Sequence, residues 1–335
     1  MPERSLLTSW RRTPLITAGA VLIVGLALAA LSAPWLASAD PAHQFDIVAG
    51  KQILPGAQRY VLEFADNRLP QVAEEVVRRG DQLEITRSGR QRTFAEQEIA
   101  NLTAEGLPPQ RTFLLGTDRL SRDLWARLLY GGRISLVIGF LAALLALVLG
   151  VLVGSLAASG GRLVDAVLMR LVDTFLTIPP LFILLALVSL LSPGIEAIIL
   201  LLGGTSWMTI SRLVRAEILS LKERDFVRAA HGLGQHPLRV LLRHILPNAL
   251  TPALVQTGLL VGNMILTESA LSFLSFGVPE PASSWGKMVA DVTGGPIDLW
   301  WMAVFPGSAI ILTVIAFNLV TDGLRDALDP RRQRL

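Results

Sequence analysis

Six stretches of this chain are apolar and nearly free of charge, and their lengths suit a lipid bilayer. Thr13 to Ala39 carries no Asp, Glu, Lys or Arg over 27 residues, Ile134 to Gly161 over 28, Thr174 to Ile195 over 22 and Leu299 to Thr321 over 23. His244 to Thr267 adds 24, is interrupted by Glu268, and continues for 11 more from Ser269 to Pro279. Ala197 to Ser211 is shorter, but Glu196 and Arg212 at its ends can snorkel to the interface. A hydrocarbon core of about 30 Å takes about 20 apolar residues of helix. The pattern predicts transmembrane helices near 14–37, 134–158, 169–191, 195–214, 249–274 and 300–321. A mean hydropathy of +0.52 with only 17% charged residues agrees, since soluble domains average about 25% charged.

Lys and Arg in short loops orient such a chain. Arg4, Arg11 and Arg12 precede the first span and Arg162 follows the second. Arg215, Lys222, Arg224, Arg228, Arg239 and Arg243 follow the fourth, and Arg325, Arg331, Arg332 and Arg334 follow the last. The opposite side is acidic or uncharged. The expectation is a multi-pass membrane protein with both termini cytoplasmic. The net charge of +3 is then positive-inside bias and not a nucleic-acid footprint. Ala37-Ser38-Ala39 before Asp40 also resembles a signal-peptide cleavage site. A signal core, however, has about 7–15 apolar residues. The apolar run from Leu15 to Leu31 is longer, so the helix is expected to stay as an anchor.

Residues 40–111 differ in composition, with 11 acidic and 9 basic residues. Tyr60 to Phe64 alternates like a strand. Leu69 to Arg79, ended by Gly80, reads as a helix. Leu83–Thr86, Ser88-Gly89 and Arg90–Phe94 read as a hairpin, and Thr93 with Glu96 as the capping box of a helix reaching Gly106. The expectation is a small external α+β insertion at 39–112. It lies between a tail with its first span (1–38) and a core of five helices (113–335) containing a cytoplasmic loop at 215–248.

That loop reads as helix, turn, helix. Ala229 and Ala230 are small enough for another surface to come close, Gly234 permits a sharp turn, and Pro247 breaks the chain before the fifth span. Here the sequence resembles the permease subunits of binding-protein-dependent ABC importers. Their signature is Glu-Ala-Ala, three residues, Gly, nine residues, then Ile-x-Leu-Pro. The match falls on Ala229, Ala230, Gly234, Leu246 and Pro247, with Arg228 where the family has Glu and His244 where it has Ile. Gly116-Thr117-Asp118 with Arg122-Asp123 resembles the Gly-Thr-Asp-x-x-Gly-Arg-Asp motif of the dipeptide, oligopeptide and nickel branch, with Ser121 in place of a Gly. Tyr130–Leu136, Glu268–Leu274, Ser284–Gly286 and Asp322–Pro330 continue the likeness, which leaves 40–111 unexplained.

The resemblance implies an all-α polytopic membrane fold with six transmembrane helices of the type I importer kind. It implies a permease subunit, most often for peptides, that forms a translocation path with a second homologous permease. Two cytoplasmic ABC ATPases and an extracytoplasmic solute-binding protein would be the partners. Arg228, Ala229, Ala230, Gly234, Leu246 and Pro247 would couple to the ATPases. This chain has no P-loop: Gly50-Lys51 is followed by Gln52 and Gly286-Lys287 by Met288, where Ser or Thr is required. It is therefore expected to be non-catalytic and to bind no cofactor, ATP and Mg being held by the partner ATPases. The sequence shows no catalytic constellation, and the spacing of His231, His236 and His244 disfavours a metal site.

Within the spans, Glu268 is an intramembrane carboxylate, the residue type that faces a bundle interior or a watery path. Glu268 and Asn263 are the candidates for a translocation path, with a helix-to-helix hydrogen bond as the other reading of Glu268. Gly116, Thr117, Asp118, Arg122 and Asp123 are candidates for a charged brace outside the second span. An ion-coupled secondary transporter or a membrane scaffold is the alternative, but the inverted repeats of such a transporter are not evident.

Overall fold

A computed structural model describes residues 14–37, 39–66, 68–190, 194–293 and 299–328. The helices are α1 (Pro14–Leu31), α2 (Ala33–Leu36), α3 (Leu124–Ser159), α4 (Gly161–Thr177), α5 (Pro180–Val188), α6 (Ile195–Gly204), α7 (Trp207–Lys222), α8 (Asp225–Gly232), α9 (Pro237–Val240), α10 (Leu246–Phe273), α11 (Trp285–Ala290) and α12 (Trp300–Leu328). Four helical stretches among the described residues are long and apolar enough to cross a bilayer, or up to six if each of two bent pairs is one span. The basic tails at Arg4, Arg11, Arg12 and Arg331–Arg334 lie outside the described residues, as does Ser38 of the cleavage-like triplet.

The bent pairs depart from the expected spans. The window at 169–191 is not one straight helix: α4 and α5 meet at 87°. The cause is Pro179-Pro180, which removes two backbone donors and drives the preceding residue out of the helical region; Ile178 has ψ 128°. The window at 195–214 becomes α6 and α7, bent by 40° at Thr205-Ser206. By contrast α3 runs for 36 residues, starting ten before the charge-free window. At 1.5 Å per residue it is about 54 Å long, well beyond the hydrocarbon core.

The described chain divides into two compact units. One comprises the described parts of Met1–Ala27, Ile134–Pro279 and Ile310–Leu335. It is helical, and its glycines mark where backbones touch. A Cβ on Gly150 would lie 2.6 Å from Ile210 Cβ, and one on Gly154 would lie 2.6 Å from the Ser211 carbonyl. So α3 meets α7 through the Gly150/Gly154 pair, the spacing that lets two helices approach closely. Gly19 of α1 approaches Ala316 of α12 in the same way.

The second unit comprises the described parts of Leu28–Arg133 and Glu280–Ala309. Its insertion holds two antiparallel sheets: β1 (Ala57–Leu62) between β2 (Gln71–Ala73) and β6 (Gln110–Phe113), and β4 (Gln82–Arg87) between β3 (Glu75–Arg79) and β5 (Arg90–Ala95). Leu62, Phe64, Ala73, Leu83, Ile85, Phe94 and Ile99 fill its core. The β4–β5 hairpin matches its sequence signal, turning at Ser88-Gly89. The expected helix at 69–79 is instead β2 and β3. Gly80, at φ +65°, makes the tight turn from β3 into β4 and is not a helix cap. Positive φ at such a turn matches the twist of the strands it joins. The expected helix from Thr93 to Gly106 is also absent. Thr93 pairs with Glu84 in the sheet, and only one 3-10 turn, Glu96–Glu98, follows. Among the described residues the insertion is β, with that single turn of helix, and not α+β.

Candidate functional site

Two constellations gather the motif residues, one in each unit. The first is the 215–248 segment. Its short helix α8 buries Val227 and Ala230 in a core with Ile210, Val214, Ile218, Val240 and Ile245. Phe226, Ala229 and Leu233 face outward, Leu233 with 81% of its surface exposed. A helix this short is marginal alone, so these two buried contacts hold it. Its end is a Schellman motif. Gln235 N–H donates to the Ala230 carbonyl at 3.2 Å and Gly234 N–H to the His231 carbonyl at 2.9 Å, with Gly234 at φ +76°.

The chain then re-enters helix at α9. His236 accepts the Leu238 N–H on Nδ1 at 3.3 Å. Pro237 occupies the first turn, where its missing donor costs nothing. Leu241–Ile245 forms a π-helical turn before α10. Pro247 in the first turn of α10 has no N–H to continue the ladder, which accounts for the wider turn there. His244 Nε2 lies 3.1 Å from Gln235 Oε1, so this departure from the family pattern ties the exit of the turn to the helix that follows. Arg228 is exposed and pairs with Glu223 at 3.1 Å, a contact worth little in water. Leu246 is half-buried and Pro247 exposed. Lys222 donates to the Ala158 carbonyl, and Arg215 grips Asp165 with Nη2–Oδ2 2.6 Å, so α7 is fastened to the ends of α3 and α4. A cavity of about 470 Å³ opens between Ser159, Lys222, His231, His236 and Leu241.

The second constellation is built on the turn 116–123. Asp118 is its hub. One oxygen accepts the Leu120 and Arg122 N–H groups at 2.9 and 2.8 Å; the other accepts Arg122 Nε at 2.7 Å and the Arg127 guanidinium. Arg127 reaches on to Asp291 at 2.9 Å and Ser283 at 3.0 Å, and Lys287 and Arg122 bring two further cations to Asp291 at 3.3 and 3.5 Å. Arg111 pairs with Asp123 at 3.0 Å. Asp118, Arg122, Asp123 and Arg127 are all buried, none with more than 5% of its surface exposed. Thr117 accepts the Ile53 N–H and donates to the Gly50 carbonyl, while Gly116 takes φ +81°.

Sequence reasoning found Gly116, Thr117, Asp118, Arg122 and Asp123 but missed Arg127 and Asp291. The helix was expected from 134, so nothing in the sequence placed Arg127 in its first turn. Nothing near Asp291 in the sequence marks it as a partner of a residue 164 positions earlier. Asn263 and Glu268 both lie on α10 but not on one face. Asn263 is exposed, whereas Glu268 is fully buried and accepts the Ser272 hydroxyl at 2.7 Å.

The sequence of residues 146–334 matches the family model of the binding-protein-dependent transport system inner membrane component. The chain belongs to this family. It is a permease subunit of a binding-protein-dependent importer. A Brucella suis protein named as a peptide permease is 43% identical over 235 residues, covering 70% of this chain and 78% of that protein. The dipeptide transport system permease protein DppC of Bacillus subtilis is 39% identical over 237 residues, covering 70% of this chain and 73% of DppC. The permease resembles in fold a chain of the MetNI methionine ABC transporter, with TM-score 0.51 at 18% identity, covering 62% of this chain and 98% of that one.

Proposed function

We propose that this permease carries peptides and spans the membrane six times, with both termini and the 215–248 segment cytoplasmic and the insertion outside. The α4–α5 and α6–α7 pairs would each count as one span, and α1 would be retained against α12. A second homologous permease completes the path, two ABC ATPases supply ATP and Mg sites, and a solute-binding protein delivers the ligand. The names of the relatives in Brucella suis and Bacillus subtilis support peptides as the cargo. Arg228, Ala229, Ala230, Gly234, Leu246 and Pro247 form the coupling surface in this reading.

One observation carries it: α8 and the Leu233 that caps it expose Phe226, Ala229 and Leu233 on one side while Val227 and Ala230 fasten the helix to α7 and the start of α10. A partner that moves α8 moves two membrane helices. ATP must then favour one arrangement of the complex over the other, since equal affinity shifts nothing. Native mass spectrometry of the complex drawn out by a C-terminal tag in mild detergent tests the reading. A second permease with two ATPase copies is the expected composition; a lone chain or homodimer, under conditions that keep a control transporter intact, would refute it.

A further inference from the structure

The turn 116–123 contains a residue whose backbone is at odds with its side chain. Ser121 sits at φ +60°, in the left-handed region where glycine is the least strained occupant. Its hydroxyl is fully buried and accepts the Asp46 N–H at 3.0 Å, and its carbonyl accepts the Phe45 N–H at 3.1 Å. Gly50 makes room for that hydroxyl: a Cβ there would lie 2.1 Å from Ser121 Oγ. Asp46 in turn organises the insertion. Its carboxylate accepts the Val48 and Val72 N–H groups at 2.8 and 3.0 Å and Arg87 Nε at 2.9 Å. On the other side, Ser121 N–H donates to the Asp118 carbonyl at 3.1 Å, inside the turn whose side chains build the Asp118–Arg122–Arg127–Asp291 cluster.

We propose that Ser121 is a positioning residue: its hydroxyl latches the insertion, through Asp46, onto the turn that holds the Asp118–Arg127 cluster, and transport depends on that latch. The insertion is then a brace of the permease's motif turn and not a tethered spacer. The latch fixes Asp118, which has four donors to satisfy at once. A shift of this turn would unmake several charge-assisted bonds together. The dependence of transport rests on the importer reading; the latch itself does not.

Ser121→Gly and Ser121→Ala separate the bond from the backbone. Both remove the hydroxyl, but only glycine relaxes the positive φ. The test uses the complex of this chain with its partner permease, ATPases and binding protein in nanodiscs, with a pool of di- and tripeptides as probe. Hydrogen exchange should quicken about two- to tenfold at the Asp46 amide in both variants, the effect of one lost buried hydrogen bond. The ratio of ATP turnover with loaded binding protein to turnover without it should fall in both; this ratio does not depend on the amount of folded complex. Unchanged Asp46 exchange in both variants, or slower exchange in Ser121→Gly with faster exchange in Ser121→Ala, would overturn the latch. Quickened exchange with an unchanged ratio would overturn its role in transport. If the wild-type complex shows no stimulation by the loaded binding protein, the peptide-importer reading fails, and exchange alone decides the latch.

Discussion

Gly234 offers a measurement in which the structural cost is almost purely conformational. It stands at φ +76°, and nothing lies within 4 Å of where a Cβ would be. Gly234→Ala therefore creates no clash; it forces an L-residue into the left-handed region, at about 1–2 kcal/mol. That is a factor of about 5–30 in the population of the intact turn. Asn tolerates the same region better, so Gly234→Asn should cost less than Gly234→Ala. Gly234→Pro is the extreme. Its ring locks φ at about −65°. It also deletes the N–H that donates to the His231 carbonyl at 2.9 Å.

The consequence is local, because α8 is held by little more than Val227 and Ala230. Loosening its end should leave membrane insertion and ATPase binding in place while lowering the work delivered per ATP. The assay is uptake of a labelled tripeptide by proteoliposomes, divided by ATP hydrolysed in the same vesicles. The order expected is Gly, then Asn, then Ala, then Pro. Equal peptide-to-ATP ratios for the wild type, Ala and Pro forms, at matched membrane content, would refute the coupling role of this turn.

Three further perturbations follow from the geometry. Glu268→Leu strips the Ser272 hydroxyl of its acceptor in a fully buried place and should lower stability in detergent by about 1–3 kcal/mol; Glu268→Gln keeps an acceptor oxygen, should fold normally, and removes Glu268 from the path if its uptake equals the wild type. Arg127→Met removes one of the two cations on Asp118 and one of the three on Asp291, leaving Arg122 on both and Lys287 on Asp291; it should cost about 1–3 kcal/mol, read as a lowered melting temperature, with Arg127→Lys recovering only part. For Asp46, burial pushes the carboxyl up, but Arg87 and the Val72, Val48 and Ala49 N–H groups together hold it below its ordinary 3.8. Because the folded value is the lower one, its stabilisation is present above pH 3.8 and is lost as pH falls through that folded value. Pulse proteolysis of the full chain across the acid range should show wild type outlasting Asp46→Asn above that window and converging with it below; a constant gap would contradict the assignment.

What the sequence made legible, and what it hid, follows from how local each determinant is. The apolar windows located the long helices because a helix satisfies its own backbone within the segment, so composition and length suffice. The same windows missed the 87° break at Pro179-Pro180. Hydropathy scores proline by polarity and is blind to its lost donor, although the residues themselves announce it. Gly80 shows a real ambiguity: a left-handed glycine ends a helix or turns a hairpin equally well. Only the pairing of Val76 with Ile85 and Val77 with Glu84 decides which. Gly234 was readable because the whole Schellman motif is local. The Asp118 cluster was half readable for the converse reason. Its bonds to Leu120 and Arg122 are within one turn, but Arg127 to Asp291 spans 164 residues and Ser121 to Asp46 spans 75. Short-range capping leaves a trace in spacing, whereas a long-range ion pair leaves only two unremarkable charges. The motif therefore names only the nearer half of this buried polar cluster. The farther half, Arg127, Asp291 and the Asp46 latch, is where substitutions should reveal what the motif is for.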